Sequence, residues 1–210
     1  SAPIPVAQRM SQFSYAIRNV LAEAQRVEAS GRRVRYLNIG DPVAFGFRTP
    51  QHLIAAVERA LADGHNGYGP SPGIAAAREA VAADYTAHGF PVTPDRAFLT
   101  AGTSEGNEFA LGALADAGSE VLLPRPTYPL YTAVLTKLGA RPAYYRTAPA
   151  QGWSPDLDHL RRLVTPATRA LVVIYPNNPT GASYSAAVRR TLIDFADAHD
   201  RLERRRVGPA

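Results

Sequence analysis

The spacing of apolar and polar positions changes period several times along this chain, and each change marks an element. Phe13, Ile17, Val20, Leu21, Ala24 and Val27 share one face at helical spacing, which predicts a helix from about Phe13 to near Gly31. Leu53, Ile54, Val57 and Leu61 mark a second helix that stops at Gly64. Further helices are predicted over Ile74 to His88, Glu105 to Leu114, Leu130 to Leu138 and Asp156 to Val164. A last one, from Ser185 to His199, carries Val188, Leu192, Phe195 and Ala196 on one face. Between them lie short apolar runs with strand character: Arg33 to Ile39, Ala97 to Thr100, Glu120 to Leu123, Ala143 to Arg146 and Leu171 to Tyr175. From Ile74 onward strands and helices alternate, which argues for an α/β fold around a mainly parallel sheet. Leu171 to Tyr175 is β-branched and uncharged, as expected of a strand covered on both faces. Pro176 and Pro179 then fix φ and withhold backbone donors, so that strand cannot continue.

Composition narrows the possible chemistry. The 210 residues contain no cysteine, which excludes a disulfide framework, a cysteine-based zinc site and a thiol nucleophile, and fits a reduced, cytoplasmic setting. No apolar run reaches the roughly 18 residues of a membrane span. The net charge is +5, and of the 23 basic residues only Lys137 is a lysine. The arginines are scattered apart from Arg201, Arg204, Arg205 and Arg206, a run read as a solvated tail rather than a nucleic-acid surface.

Three turns carry candidate chemistry. Asn177 and Asn178 follow the strand ending at Tyr175, where ligands sit in open α/β sheets. Two readings stand: the amides bond their own turn, or they face a ligand. Gly102-Thr103-Ser104-Glu105-Gly106 opens a helix after the predicted strand Ala97 to Thr100. Its pattern is that of a hydrolase nucleophile elbow with Ser104 as nucleophile, for which Asp158 and His159, or Asp194 and His199, can be nominated as partners. It is equally a phosphate cradle of free N–H groups with the Thr103 and Ser104 hydroxyls, or plain N-capping. Pro126-Thr127-Tyr128-Pro129 supplies an aromatic face after a third strand. The glycine-rich stretch Gly64 to Gly73 follows no strand and lacks the dinucleotide spacing. A cradle, an aromatic face and a directed amide together suit a flat phosphorylated aromatic cofactor.

These motifs, in this order, resemble the class I/II, fold-type I, pyridoxal-phosphate-dependent aminotransferases. The resemblance runs from about Phe13 to His199 through Asn38-Ile39-Gly40-Asp41-Pro42, Tyr68 with Gly73, Gly102-Thr103-Ser104, Pro126 to Pro129 and Pro176 to Gly181. Phe13 to Arg18 and Pro42 to Phe47 look most like the bacterial alanine-type transaminases. The resemblance implies transfer of an amino group from an amino acid to a 2-oxo acid through pyridoxal 5'-phosphate, in a cytoplasmic homodimer. Thr103 and Ser104 would hold the cofactor phosphate, Tyr128 would stack on its ring, and Asn178 would bond the ring hydroxyl. Tyr68 would reach the phosphate of the neighbouring subunit, while Gly40 and Asn178 would lie beside the substrate. The implied fold is an incomplete large domain plus an N-terminal segment of the small domain. Residues 1–48 would be the arm and small-domain segment, 49–200 the partial cofactor-binding domain, and 201–210 an atypical Arg-rich tail.

The resemblance also implies a Schiff-base lysine after the Asn turn, an acid for the pyridine nitrogen and an arginine for the substrate carboxylate, and none of these is found. Lys137, just before Gly139, suits a helix C-terminus. The expectation is therefore a truncated chain without a catalytic lysine, inactive alone; the alternative is a non-catalytic remnant that binds pyridoxal phosphate or a partner. The strand carrying Asn178 is further expected to lack both of its sheet neighbours, leaving buried backbone groups unpaired and the chain poorly folded.

Overall fold

The structure, a computed structural model, describes residue 7, residues 16–37 and residues 40–207. In chain order the helices are α1 (Ala16–Ala29), α2 (Gln51–Ala62), α3 (Ala75–Ala87), α4 (Thr103–Leu114), α5 (Pro129–Leu138), α6 (Leu157–Leu163) and α7 (Ala186–Val207). The strands are β1 (Glu120–Arg125), β2 (Arg141–Ala148), β3 (Ser154–Pro155) and β4 (Thr168–Leu171). The chain divides into two compact units, residues 17–105 and residues 106 onward.

The second unit is organised around β1. The sheet order is β3-β2-β1-β4, with β1 parallel to both neighbours and the short β3 antiparallel to β2. Because successive side chains of a strand point to opposite faces, Val121 and Leu123 go one way and Leu122 the other. Val121 and Leu123 pack with Leu111, Val134 and Leu135, from α4 and α5. Leu122 packs with Tyr145, Leu160 and Leu192, from β2, α6 and α7. Both faces of β1 are thus covered, which is why a near-continuous apolar run rather than an alternating one encodes it. Gly139, left-handed at φ 72°, closes α5, and Ala140 N–H donates to the Leu135 carbonyl across the turn.

In the unit of residues 17–105 the described residues form helices and turns and no strand. The Ala97 to Thr100 strand is not formed, because its backbone groups are satisfied otherwise. Leu99 N–H donates to the Pro72 carbonyl at 3.0 Å, and Arg78 Nε donates to the Ala97 carbonyl at 2.9 Å. Gly73 sits against this segment at φ +104°, where an added Cβ would lie 2.6 Å from Leu99 Cδ1. Residues 33–37 likewise form no strand: they have no strand partner, and Tyr36 OH turns back to donate to Glu28 at 2.7 Å. Phe13, Asn38 and Ile39 lie outside the described residues.

One expectation about the last elements is corrected. The strand before Asn177 does not lack both neighbours: Val121 pairs with Ala170 and Leu122 with Leu171. It is also shorter and earlier than expected, ending at Leu171. Val172 N–H still reaches the Leu122 carbonyl, but the Val172 carbonyl is taken by the Tyr145 hydroxyl at 3.0 Å, and Pro124 offers β4 no N–H. The last helix, α7, runs on to Val207. Arg, Glu and Leu are good helix formers, so nothing in Arg201 to Arg206 stops the helix.

Two measurements test this core. Leu135 is fully buried between the helices and the sheet. Leu135→Ala is expected to cost about 2–5 kcal/mol in urea unfolding, as large-to-small core changes do. Burial pushes the Tyr145 phenol well above its ordinary range, with the neighbouring Tyr184 adding to the effect. In the unfolded chain it ionises near pH 10. Its contribution is therefore intact below about pH 10 and is lost as the pH rises beyond, because only the unfolded state then sheds the proton. Tyr145→Phe should lower stability by about 1 kcal/mol at pH 8 through the lost hydrogen bond, and should flatten the decline between about pH 10 and 11.

Candidate functional site

β1 and β4 are adjacent and parallel, so both leave the sheet at the same end. Two of the three turns singled out above grow from that end, Pro126 to Tyr128 from β1 and Pro176 to Gly181 from the segment after β4. This carboxyl end is the ligand-binding end of an open α/β sheet. Tyr128 is half-buried and stands as the N-cap residue of α5, with extended backbone (φ −72°, ψ 129°). Beside it the Thr127 Oγ1 is buried and has no hydrogen-bond partner among the described residues. Sequence reasoning passed over Thr127, though a hydroxyl between two prolines at a strand end is a readable signal. The Arg125 guanidinium lies 5.8 Å from the centre of the Tyr144 ring, and the Arg125 carbonyl accepts from Thr147 Oγ1 at 2.9 Å. The end of β1 is thereby held from both sides.

The second turn separates its two asparagines. Asn177 is 3% exposed, whereas Asn178 is exposed. Asn177 Nδ2 donates to Thr180 Oγ1 at 2.9 Å, and Asn177 N–H donates to the Ala182 carbonyl at 2.9 Å. Gly181 N–H donates to the Asn177 carbonyl at 2.7 Å with Gly181 left-handed at φ 70°. The turn-forming reading therefore applies to Asn177. The Asn178 side chain is left facing outward. The peptide bonds before Pro126, Pro176 and Pro179 are cis. Just beyond, Tyr184 is buried and its hydroxyl has no partner among the described residues, and burial raises its ionisation above the ordinary tyrosine range.

Gly40, Tyr68, Thr103 and Ser104 belong to the unit of residues 17–105. Thr103 and Ser104 open α4 and are both exposed, in the first turn where helix N–H groups have no intrahelical partner. Gly102 precedes them at φ +87°, a conformation that favours glycine. The turn is closed by other groups: Glu105 Oε2 accepts from Ala101 N–H at 2.6 Å, and Thr100 Oγ1 donates to the Gly102 carbonyl at 3.0 Å. Tyr68 is fully exposed. A Cβ built on Gly40 would meet nothing within 4 Å.

The nucleophile-elbow reading of Ser104 loses its context, since no strand among the described residues precedes Gly102. Its nominated partners are also engaged elsewhere. Asp158 pairs with Arg161 at 2.7 Å and Asp194 with Arg190 at 3.1 Å. His159 Nδ1 accepts from Arg146 N–H at 3.0 Å, and the His199 ring lies against Phe195. No group of acidic or histidine side chains among the described residues could hold a metal ion. No helix among them is long and apolar enough to cross a membrane.

Lys137 lies in the last turn of α5, where its Nζ pairs with the Glu108 carboxylate. α5 starts at the carboxyl end of β1 and finishes just before the amino end of β2. At 1.5 Å per residue, the eight positions from Pro129 to Lys137 put the lysine roughly 12 Å further along the helix axis, toward the opposite end of the sheet from Tyr128.

The Aminotransferase class I and II family model matches residues 33–202. The chain is 38% identical over 201 residues to the glutamate-pyruvate aminotransferase of Escherichia coli K12, covering 95% of this chain and 49% of that protein. It is 42% identical over 197 residues to an alanine aminotransferase of Mycobacterium tuberculosis, covering 92% of this chain and 46% of that one. The solved alanine aminotransferase of Pyrococcus furiosus superimposes with a TM-score of 0.87 at 38% identity, over 93% of this chain and 50% of that structure. The chain thus spans about half the length of these relatives, and the α/β fold inferred from the alternation of its elements is the one they share. With its motifs in order and its fold matched, the chain belongs to the class I and II aminotransferases.

Proposed function

We propose that these residues form the cofactor-binding part of an amino-acid aminotransferase site, passing an amino group from an amino acid to a 2-oxo acid through pyridoxal 5'-phosphate. The observation that carries this reading is the delivery of Tyr128 and Asn178 to one end of the sheet by the adjacent parallel strands β1 and β4. The alanine-type relatives favour alanine, glutamate or pyruvate as substrates. In the same reading the parent enzyme is a cytoplasmic homodimer, residues 1–48 serve as arm and small-domain segment, and residues 49–200 belong to the large domain.

The donor set fits such a cofactor. Exposed Thr103 and Ser104 hydroxyls, beside the free N–H groups of α4, suit a phosphate dianion at a helix start. The half-buried Tyr128 ring offers an aromatic face. The exposed Asn178 amide can donate to a ring hydroxyl and the buried Thr127 Oγ1 is open to a partner. Exposed Tyr68 would reach the phosphate bound by a neighbouring subunit, and Gly40 leaves room for the substrate. Pyridoxal phosphate supplies, when bound, an electron sink for the substrate carbon that loses its proton. The side chains named here bind and orient; none is placed to move that proton.

Lys137 is engaged with Glu108 and directed to the far end of the sheet, away from the placement that proton transfer at the cofactor would need. The 210 residues alone are accordingly expected to bind without turnover. Pyridoxine 5'-phosphate keeps the ring, ring hydroxyl and phosphate but has no aldehyde, and titrating it reads binding alone. Joint replacement of Thr103 and Ser104 by alanine should weaken it at least about tenfold, one charge-assisted hydrogen bond's worth. Incubation with pyridoxal phosphate and borohydride should give no lysine adduct coupled to amino transfer. An adduct at Lys137 together with conversion of an amino acid to its oxo acid would overturn the account.

A further inference from the structure

We propose that Thr180, together with Asn177, is a positioning residue for Asn178. This rests on the reading of Asn178 as a cofactor contact and extends it to the groups that hold it. Consecutive asparagines differ sharply here, Asn177 being 3% exposed and Asn178 exposed. The difference traces to one oxygen. Thr180 Oγ1 accepts from Asn177 Nδ2 at 2.9 Å and from Ala182 N–H at 3.2 Å. Asn177 N–H to the Ala182 carbonyl and Gly181 N–H to the Asn177 carbonyl close the same loop, at 2.9 and 2.7 Å.

The consequences for Asn178 are geometric. Asn177, Thr180, Gly181 and Ala182 are tied to one another, and Asn178 and Pro179 are carried on the loop they close. Anchorage comes from Ala182 and Tyr184, which are 8% and 4% exposed. A residue on a loop fixed in this way gives up little further freedom when its side chain engages a ligand, and that preorganisation appears as affinity. The hydroxyl is the replaceable part of the device. Thr180→Val keeps the shape but leaves Asn177 Nδ2 and Ala182 N–H without their acceptor, while Thr180→Ser keeps the acceptor.

The test titrates pyridoxine 5'-phosphate into the wild-type chain, Thr180→Val, Thr180→Ser, Asn178→Ala and the double variant Thr180→Val/Asn178→Ala, with hydrogen exchange at Gly181 and Ala182 followed in parallel. Thr180→Val should bind about tenfold more weakly and Thr180→Ser close to wild type, the size of one lost hydrogen bond. In the Asn178→Ala background Thr180→Val should cost nothing further, since coupled residues are non-additive. Exchange at the two amides should quicken in the valine variant and not in the serine variant. Equal losses in both backgrounds would show that Thr180 acts without Asn178 and would overturn the proposal, as would wild-type binding by Thr180→Val. Wild-type binding by Asn178→Ala would instead overturn the cofactor reading, and this inference with it, while leaving the exchange result as a property of the turn. If the valine variant fails to fold by circular dichroism, Asn177→Ala removes the same bond from the other side and is read in its place.

Discussion

Burial of β1 on both faces is the constraint from which the rest of its unit follows. A strand with Val121 and Leu123 on one side and Leu122 on the other can be dry only if helices cover each face, and α4 with α5, and α6 with α7, do so. Parallel neighbours then become necessary, because each connection must cross a face as a helix before the next strand begins. Parallel strands share a carboxyl end, so the turns that leave them share it too. The proximity of the Tyr128 turn to the Asn178 turn is thus a consequence of hydrophobic burial, settled before any ligand is considered.

The helices were legible because an amphipathic stripe is a property of the segment that carries it. Gly64 and Gly139 mark helix ends in the sequence and close them in the structure, at φ 79° and φ 72°. Strands are relations between segments, and the sequence read them only in part: Glu120 to Leu123 and Ala143 to Arg146 lie within β1 and β2, but others differ. Ala97 to Thr100 has the residues of a strand but sends its hydrogen bonds to Pro72 and Arg78. Ser154 and Pro155 pair with β2 despite having nothing strand-like about them. At the candidate site the residue types were readable, but the division of labour between Asn177 and Asn178 was not. It depends on which amide finds the Thr180 hydroxyl, a matter of backbone direction that two identical side chains do not reveal.

The charge pattern acquires a structural meaning as well. A chain so rich in arginine invites a search for an anion surface, yet many of these guanidiniums pair close to home. Arg26 meets Glu23, Arg141 meets Glu120, Arg146 meets Asp156, Arg161 meets Asp158 and Arg190 meets Asp194. Most are solvent-exposed pairs, worth at most about 1 kcal/mol each. Glu120 is the exception, 8% exposed at the start of β1 and bonded also by Thr165 and Thr168. That cluster ties the amino ends of β1 and β4 together. The structural polar network and the candidate ligand residues therefore occupy opposite ends of the same pair of strands.

That separation bears on catalysis. Binding a phosphorylated aromatic ring needs donors and an aromatic face, which turns after parallel strands provide at modest cost because their backbone is held by the sheet behind them. Moving a proton at a substrate carbon needs a titratable amine aimed at the same point. On the proposed reading Lys137 does not fill that role, since α5 starts at the carboxyl end of the sheet and carries its last turn away from it. Its Nζ is paired there with the Glu108 carboxylate. On that reading recognition and chemistry are separable: the Tyr128 and Asn178 turns proposed to meet the cofactor are held by the packing of β1 and its neighbours, whereas α5 carries Lys137 away from them.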